Sequence, residues 1–338
     1  MESQLSLKKQ RTERINFSRK FFVHGDVLMI SSRTEEGLPF PPNDLINSLT
    51  LGILARAQEL YPVEICHYVF LSNHFHLILR VINPDNVPKF VGYLKGEMAH
   101  MVNKLLSRKR KTVFNREYDS PKFLTPEDIK KYIKYLYLNP ATSNLESSIK
   151  KYPGLTSWTA FNGGKRFIQT KKVSRREIKP LPTSSLSITE SSKLSAHYTE
   201  KARGRSCVLQ ITPDAWAESF EYFDIGRMNQ EIKEEIQREE EKLSEKRKAE
   251  NRHVIGATSL KRMSMEKEHK SKKFGKRMTV ICSDLRLRIE YLSFYKELCV
   301  EAQQIYRKWK KGFIKLTMPP GMFPPATPIL AWAIPPDI

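Results

Sequence analysis

Two histidines flank a phenylalanine in the run Asn73-His74-Phe75-His76-Leu77-Ile78-Leu79. The branched aliphatic residues that follow favour a strand, and alternate side chains of a strand share a face. His74 and His76 then stand side by side while Phe75 turns into the core. Two imidazoles on one strand face supply two thirds of a metal site. An ion held there can bind a phosphate oxygen and neutralise the charge that builds up in phosphoryl transfer.

A nucleophile to match them lies further along, in Tyr132-Ile133-Lys134-Tyr135-Leu136-Tyr137-Leu138-Asn139-Pro140. On a helix, Ile129, Tyr132, Ile133 and Leu136 make an apolar stripe, so Tyr132 is a core residue. Asp128, Lys131, Tyr135 and Asn139 share a second, polar face at intervals of three and four. Tyr137 belongs cleanly to neither. Tyr135 therefore carries its hydroxyl among polar groups, and the Asn139 amide oxygen one turn on is a third candidate metal ligand. A tyrosine hydroxyl aimed at phosphorus can form a covalent phosphotyrosine. With an ordinary pKa of about 10 it needs help from a metal or a nearby base.

These groups need a sheet and a helix to bring them together. Residues 21–31 read as a first strand. Asn43 or Asp44 caps a helix running to Leu60 and stopped by Pro62. Val63–Leu71 and His74–Ile82 read as a β-hairpin turning at Ser72-Asn73. Residues 87–106 read as a second helix, Val113-Phe114 as a short strand, and Thr125-Pro126 as the cap and first position of the tyrosine helix. This order predicts an α+β, ferredoxin-like (RRM-like) antiparallel sheet with helices on one face. Beyond it, residues 161–206 read as a basic linker. Residues 207–338 read as a helical, charged C-terminal extension with a Pro-rich tail. Residues 211–227 there suggest a short helical unit, 230–251 a solvated or partner-bridging helix and 285–309 an amphipathic one.

The chain has 338 residues, with 58 Lys and Arg against 37 Asp and Glu, a formal charge of +21. Such an excess points to a polyanionic partner. No apolar run approaches the roughly 18–20 residues that span a bilayer, so nucleic acid is favoured over a membrane. The first 20 residues form a basic arm without a signal-peptide pattern. Four cysteines, scattered without metal-type spacing, read as reduced thiols of a cytoplasmic protein. Arg108-Lys109-Arg110-Lys111, between the two motifs, suits a phosphate backbone or a solvated loop, and the basic stretches 165–176 and 261–278 suit DNA flanks or hairpins, or equally disordered tails of little specificity.

The stretch Phe70–Leu79 resembles the His-hydrophobic-His motif of single-tyrosine transposases, and Tyr135–Pro140 resembles their tyrosine helix. The pattern is most similar to the REP-associated, IS200-like branch, over residues 20–160. Arg33, Arg116-Glu117-Tyr118, Tyr152-Pro153-Gly154 and Ser157-Trp158 fit it too. The resemblance implies a nuclease domain at 21–160 that cleaves and rejoins single-stranded DNA with Mg²⁺ or Mn²⁺. It implies His74 and His76 as metal ligands, Asn139 as a third, and Tyr135 as the nucleophile forming a 5′-phosphotyrosine. Candidate DNA contacts are Arg33, Arg108, Lys109, Arg110, Lys111, Arg116 and Lys131. Met29 aligns where some relatives carry a histidine. A homodimer acting on hairpin-forming repeats in a bacterial cytoplasm follows from the same resemblance. Two alternatives are a replication initiator or relaxase nickase of the same chemistry, and a domesticated, non-catalytic binder of single-stranded nucleic acid.

Overall fold

The computed structural model describes residues 20–323, apart from 110, 116, 222–223, 267–277 and 314. The basic arm 1–19, most of the basic run 261–278 and the Pro-rich tail beyond 323 lie outside the described residues. The described residues fall into two compact units, one within 23–284 and one pairing 20–22 with residues of 285–323.

In the larger unit, strand β1 (Val27–Arg33) is followed by helix α1 (Asp44–Leu60), strands β2 (Glu64–Phe70) and β3 (His74–Arg80), helix α2 (Asn86–Leu105), the two-residue strand β4 (Lys122–Phe123) and helix α3 (Pro126–Thr142). Then come a one-turn helix α4 (Trp158–Phe161), β5 (Phe167–Lys171), α5 (Ile188–Lys201), β6 (Ser206–Gln210), α6 (Ile225–Ala249), α7 (Ala257–Lys261) and β7 (Val280–Ile281). The main sheet is ordered β2-β3-β1-β4-β7. Its pairs are antiparallel except β4 with β7, which is parallel. This is a mixed α+β architecture.

Both faces of the central strands are buried, which explains their nearly unbroken apolar runs. Ile46 and Thr50 of α1 and Met98 of α2 line a small cavity with Phe70 and Phe75, on one face. Helix α3 covers the other. There Ile129, Ile133, Leu136 and Tyr137 join one core with Val27, Met29, Val69, Ile78 and Phe123. The expectation of helices on one face alone therefore fails, because α3 has an apolar stripe of its own and the second face is equally apolar. Met29 sits in this core opposite Ile78.

Local signals set most boundaries. Asn43 Oδ1 accepts from the Ile46 amide at 3.0 Å to cap α1, and Thr125 Oγ1 accepts from Asp128 N to cap α3. Helix α3 runs past Asn139-Pro140 to Thr142. The first strand starts at Val27 rather than residue 21, after a turn in which Gly25 has φ +82°. Val113-Phe114 makes only an isolated bridge from Phe114 to Thr34, and the fourth strand of the sheet is Lys122-Phe123, between β1 and β7. Among the described residues of 211–227, the helical content is a 3-10 stretch, Ala215–Ser219, and the first residues of α6.

Two charged regions are built in rather than free. Residues 162–206, linker-like in composition, hold β5 and α5. Strand β5 pairs antiparallel with β6, in which Cys207 and Leu209 alternate as buried residues. This ribbon lies tightly on α1, where a Cβ added at Gly52 would come within 2.5 Å of the Lys171 carbonyl oxygen. Helix α6 is almost wholly charged, yet buries Ile232 and Ile236 in the α3 core. Lys130 of α3 pairs with Glu231 and Glu235 at 2.8 and 3.0 Å, and Lys134 pairs with Glu235. It is thus a cover for α3, not a solvated helix.

In the smaller unit, helix α8 (Leu285–Lys310) packs Tyr295, Cys299 and Ala302 with Met322. Phe21 meets Phe294 edge-on at 5.9 Å. The Phe22 amide donates to the Gly321 carbonyl at 3.0 Å. Gly321 has φ +81°, and a Cβ there would lie 2.5 Å from the Phe22 carbonyl oxygen, so only glycine fits.

If α6 is held by its two isoleucines, Ile236→Ala should lower stability by about 2–4 kcal/mol. Glu239→Ala on the same helix should change it by less than about 0.5 kcal/mol. Urea unfolding of both variants checks this, and equal small effects would mean that α6 is dispensable to the fold.

Candidate active site

The register of β3 against β1 sets the site. His74 lies opposite Arg33 and His76 opposite Ser31. Phe75 turns to the other face, fully buried against Phe70 and Phe114 at ring separations of 5.3 and 6.0 Å. The two imidazoles stand 5.0 Å apart between ring centres, nearly perpendicular. Helix α3 brings Tyr135 over them, its ring edge-on to His76 at 5.6 Å. Tyr135 remains 49% exposed, whereas Tyr137 is fully buried. Sheet and helix thus collect His74, His76, Tyr135 and Arg33 in one place.

The electrostatics suit metal binding. His74 Nδ1 lies 2.7 Å from Asn73 Oδ1. An amide oxygen only accepts, so Nδ1 carries the proton and Nε2 keeps its lone pair, the usual arrangement behind a ligating histidine. His76 is 8% exposed, and neither ring nitrogen has a hydrogen-bond partner among the described residues. A buried imidazole without partners is costly unless something else engages it. Burial lowers the His74 pKa to about 4, with Arg33 adding to the effect. Burial, His74 and Arg33 together push His76 well below its ordinary value. Both rings are therefore neutral at pH 7, as a metal ligand must be.

Asn139 is buried, and its Oδ1 accepts from Ser143 Oγ at 3.2 Å. Among the described residues, no three His, Cys, Asp or Glu side chains cluster at metal-binding range. Asp128 is buried rather than on an open polar face. Burial raises its pKa, but hydrogen bonds from Ser283 and Thr125 outweigh this and leave it lowered. Lys131 donates to Ser283 Oγ at 2.6 Å and lies 3.6 Å from Asp128. The basic cluster divides: Lys109 and Lys111 are exposed, while Arg108 and Lys109 line a cavity that includes neither histidine nor Tyr135. Arg110 and Arg116 lie outside the described residues.

One element of the site was not evident from spacing. Tyr137 Oη lies 2.9 Å from His67 Nδ1 and 2.9 Å from Ser157 Oγ. Ser157 Oγ also accepts from the Tyr68 amide at 2.7 Å. This chain ties α3 to β2 two residues from Tyr135 and so fixes the rotation of the helix. Tyr137 stacks on Phe161, and Trp158 meets it edge-on. Burial pushes the Tyr137 pKa far up and lowers that of His67 to about 3. The local signal was the polar Ser157 before Trp158, without any indication of its partner.

Residues 43–135 match the family of IS200-like transposases, a span that contains both histidines and ends at Tyr135. No curated protein matches this sequence. Among solved structures, that of a REP-associated tyrosine transposase bound to a REP hairpin is similar over 43% of this chain and 84% of the other. Identity is 14% and the TM-score 0.36. A tRNA(His) guanylyltransferase from Saccharomyces cerevisiae is similar over 38% of this chain and 64% of its own, at 12% identity and TM-score 0.30.

Because folded His67 takes up its proton near pH 3 and the unfolded residue near pH 6.5, the unfolded state binds more protons between those values. Stability contributed by neutral His67 is complete above about pH 6.5 and is lost as pH falls towards 3. Urea unfolding at several pH values should give a shallower acid slope for His67→Gln than for wild type. Equal slopes would show that His67 is not buried in neutral form.

Proposed function

We propose, from the premise that residues 43–135 are those of an IS200-like transposase, that this protein cleaves and rejoins single-stranded DNA by a metal-dependent transesterification. The observation that carries this reading is the meeting of Tyr135 with two neutral, neighbouring imidazoles, one of which has no hydrogen-bond partner among the described residues. The β1-α1-β2-β3-α2-β4 order, with strands arranged 2-3-1-4, supports a ferredoxin-like nuclease domain over residues 21–160. Residues beyond it form the C-terminal extension.

His74 and His76 are the residues that would hold Mg²⁺ or Mn²⁺, with Asn139 as the third ligand once its oxygen is released from Ser143. The ion would supply Lewis-acid neutralisation of the phosphate charge. Arg33, opposite His74, contributes a fixed positive charge beside the same phosphate. Tyr135 attacks phosphorus, so a tyrosyl O–P bond forms and the P–O3′ bond breaks. The tyrosine proton ends on the departing 3′-oxygen, leaving a 5′-phosphotyrosine and a free 3′-hydroxyl. Attack by another 3′-hydroxyl reverses the chemistry and rejoins the strand. Tyr135 suits this role because it is half-exposed, whereas Tyr137 is sealed and hydrogen-bonded.

The partner in this reading is single-stranded DNA able to fold into hairpins. Lys111 and Lys131 offer further phosphate contacts, and a homodimer follows from the family reading alone. No helix among the described residues is long and apolar enough to cross a membrane.

The experiment is a cleavage assay on end-labelled, hairpin-containing single strands with Mn²⁺. Wild type should release fragments with 3′-hydroxyl ends. His76→Ala should lose at least about a hundredfold in rate, within the range seen when a transition-state charge stabiliser is removed. Tyr135→Phe should bind the same DNA and cut none of it. Cleavage by Tyr135→Phe at the wild-type rate would overturn the assignment.

A further inference from the structure

A cavity of about 1030 Å³ lies between α1, α2 and the segment 171–180. Ile53 of α1, Met101 of α2, and Val173 and Ile178 of the segment are buried around it and form an apolar floor. The segment is held in place: the Leu181 amide donates to the Leu105 carbonyl at 2.8 Å, and Arg175 Nε to Glu97 Oε1 at 2.7 Å. The volume is that of a site for a small organic molecule, and the apolar floor beneath a few polar groups is the usual composition of one.

The rim is cationic. Lys104, Arg108, Arg176 and Lys179 line it, and none of them takes part in an ion pair among the described residues. Glu97 is the one lining carboxylate, and it is already engaged by Arg56 at 3.7 Å and by Arg175. Arg108 Nη1 is shielded from solvent and has no hydrogen-bond partner among the described residues. A buried guanidinium N–H left unpaired is unfavourable, and an anionic oxygen is the partner it fits best. Gly96 of α2 also lines the cavity, and a Cβ built there meets nothing within 4 Å. The helix thus leaves room where most residues would fill it.

We propose that this cavity is a binding site for a small amphipathic anion, a phosphate-bearing molecule with a planar or aliphatic apolar body. The phosphate sits against Arg108 and the rim lysines, and the body lies on the Ile53–Ile178 floor. A DNA backbone needs rows of positive charge but no enclosed apolar floor, so a free small ligand fits better than a strand. None of the candidate catalytic residues lines the cavity, and residues 171–180 lie outside the matched span 43–135. The site is therefore separate from the proposed nuclease chemistry.

The test is calorimetric titration of the full chain with ATP, dodecyl phosphate and inorganic phosphate. Saturable binding of ATP or of dodecyl phosphate, one per chain and at least tenfold tighter than inorganic phosphate, is expected. ATP alone would identify a nucleotide, dodecyl phosphate alone an acyl ligand, and both a general amphipathic anion. Gly96→Leu, which fills the cavity, and the double variant Lys104→Ala/Arg176→Ala, which strips its rim, should each weaken binding at least tenfold. Thermal melting checks that each is folded, and if Gly96→Leu does not fold the rim variant decides. Absence of binding by both amphipathic probes, affinity no better than that of inorganic phosphate, or undiminished binding by the folded variants would overturn the proposal. Displacement of the bound probe by a single-stranded oligonucleotide would overturn it too, by assigning the cavity to the DNA path.

Discussion

The antiparallel register between β1 and β3 decides on which face of the sheet both imidazoles stand. With Met29 opposite Ile78, Ser31 opposite His76 and Arg33 opposite His74, the histidines share the α3 face and Phe75 seals the other. Side chains alternate with period two, so a slip of one residue would send both histidines under α1 and α2. The slip is resisted from both sides, because Ile78 belongs to the α3 core and Phe75, Leu77 and Leu79 are buried on the opposite face. Packing energy spread over the whole sheet therefore fixes a geometry that matters at two residues.

The second half of the site depends on a helix held from outside. Tyr135 has little to anchor it beyond the edge of His76 and the neighbouring Tyr132 ring. Its position is inherited from α3, which is pinned on the sheet side by the Tyr137–His67–Ser157 chain. On the outer side, α6 covers it through Ile232, Ile236 and the Lys130 and Lys134 ion pairs. Ion pairs of this exposure contribute little stability individually. Their effect is to select the rotation and offset of α6 against α3, while the isoleucines supply most of the free energy. Tyr135 is thereby left half-open on a rigid support, the placement that the proposed in-line attack requires.

How much of this was legible in the sequence follows from the range of the interactions involved. His74 and His76 were readable because strand alternation is a local rule, and the Thr125-Pro126 start of α3 because capping is equally local. Helical spacing placed Tyr135 on a polar face, and only the resemblance of Tyr135–Pro140 to a transposase tyrosine helix set it apart from an ordinary surface tyrosine. Tyr137 did not, since its burial comes from Trp158, Phe161 and Ser157, which no local pattern links to it. Helix α6 looked solvated because its few apolar residues are outnumbered by charges. A usable signal was present, in that Glu231 and Glu235 repeat the four-residue spacing of Lys130 and Lys134 with opposite sign. Strand β5 was hidden for a related reason: its Lys, Gln and Thr mimic a linker, and only pairing with β6 and contact with α1 give it structure.

The central claim is that one tyrosine among three on α3 is the nucleophile, selected by exposure and by proximity to the histidine pair. Mass spectrometry of the protein–DNA adduct, trapped with a pool of single-stranded hairpin DNAs and Mn²⁺ and then digested, tests it most directly. The account predicts a 5′-phosphonucleotide on the peptide carrying Tyr135, with fragmentation placing it on that residue. A nucleotide found on Tyr132 or Tyr137 instead would contradict it.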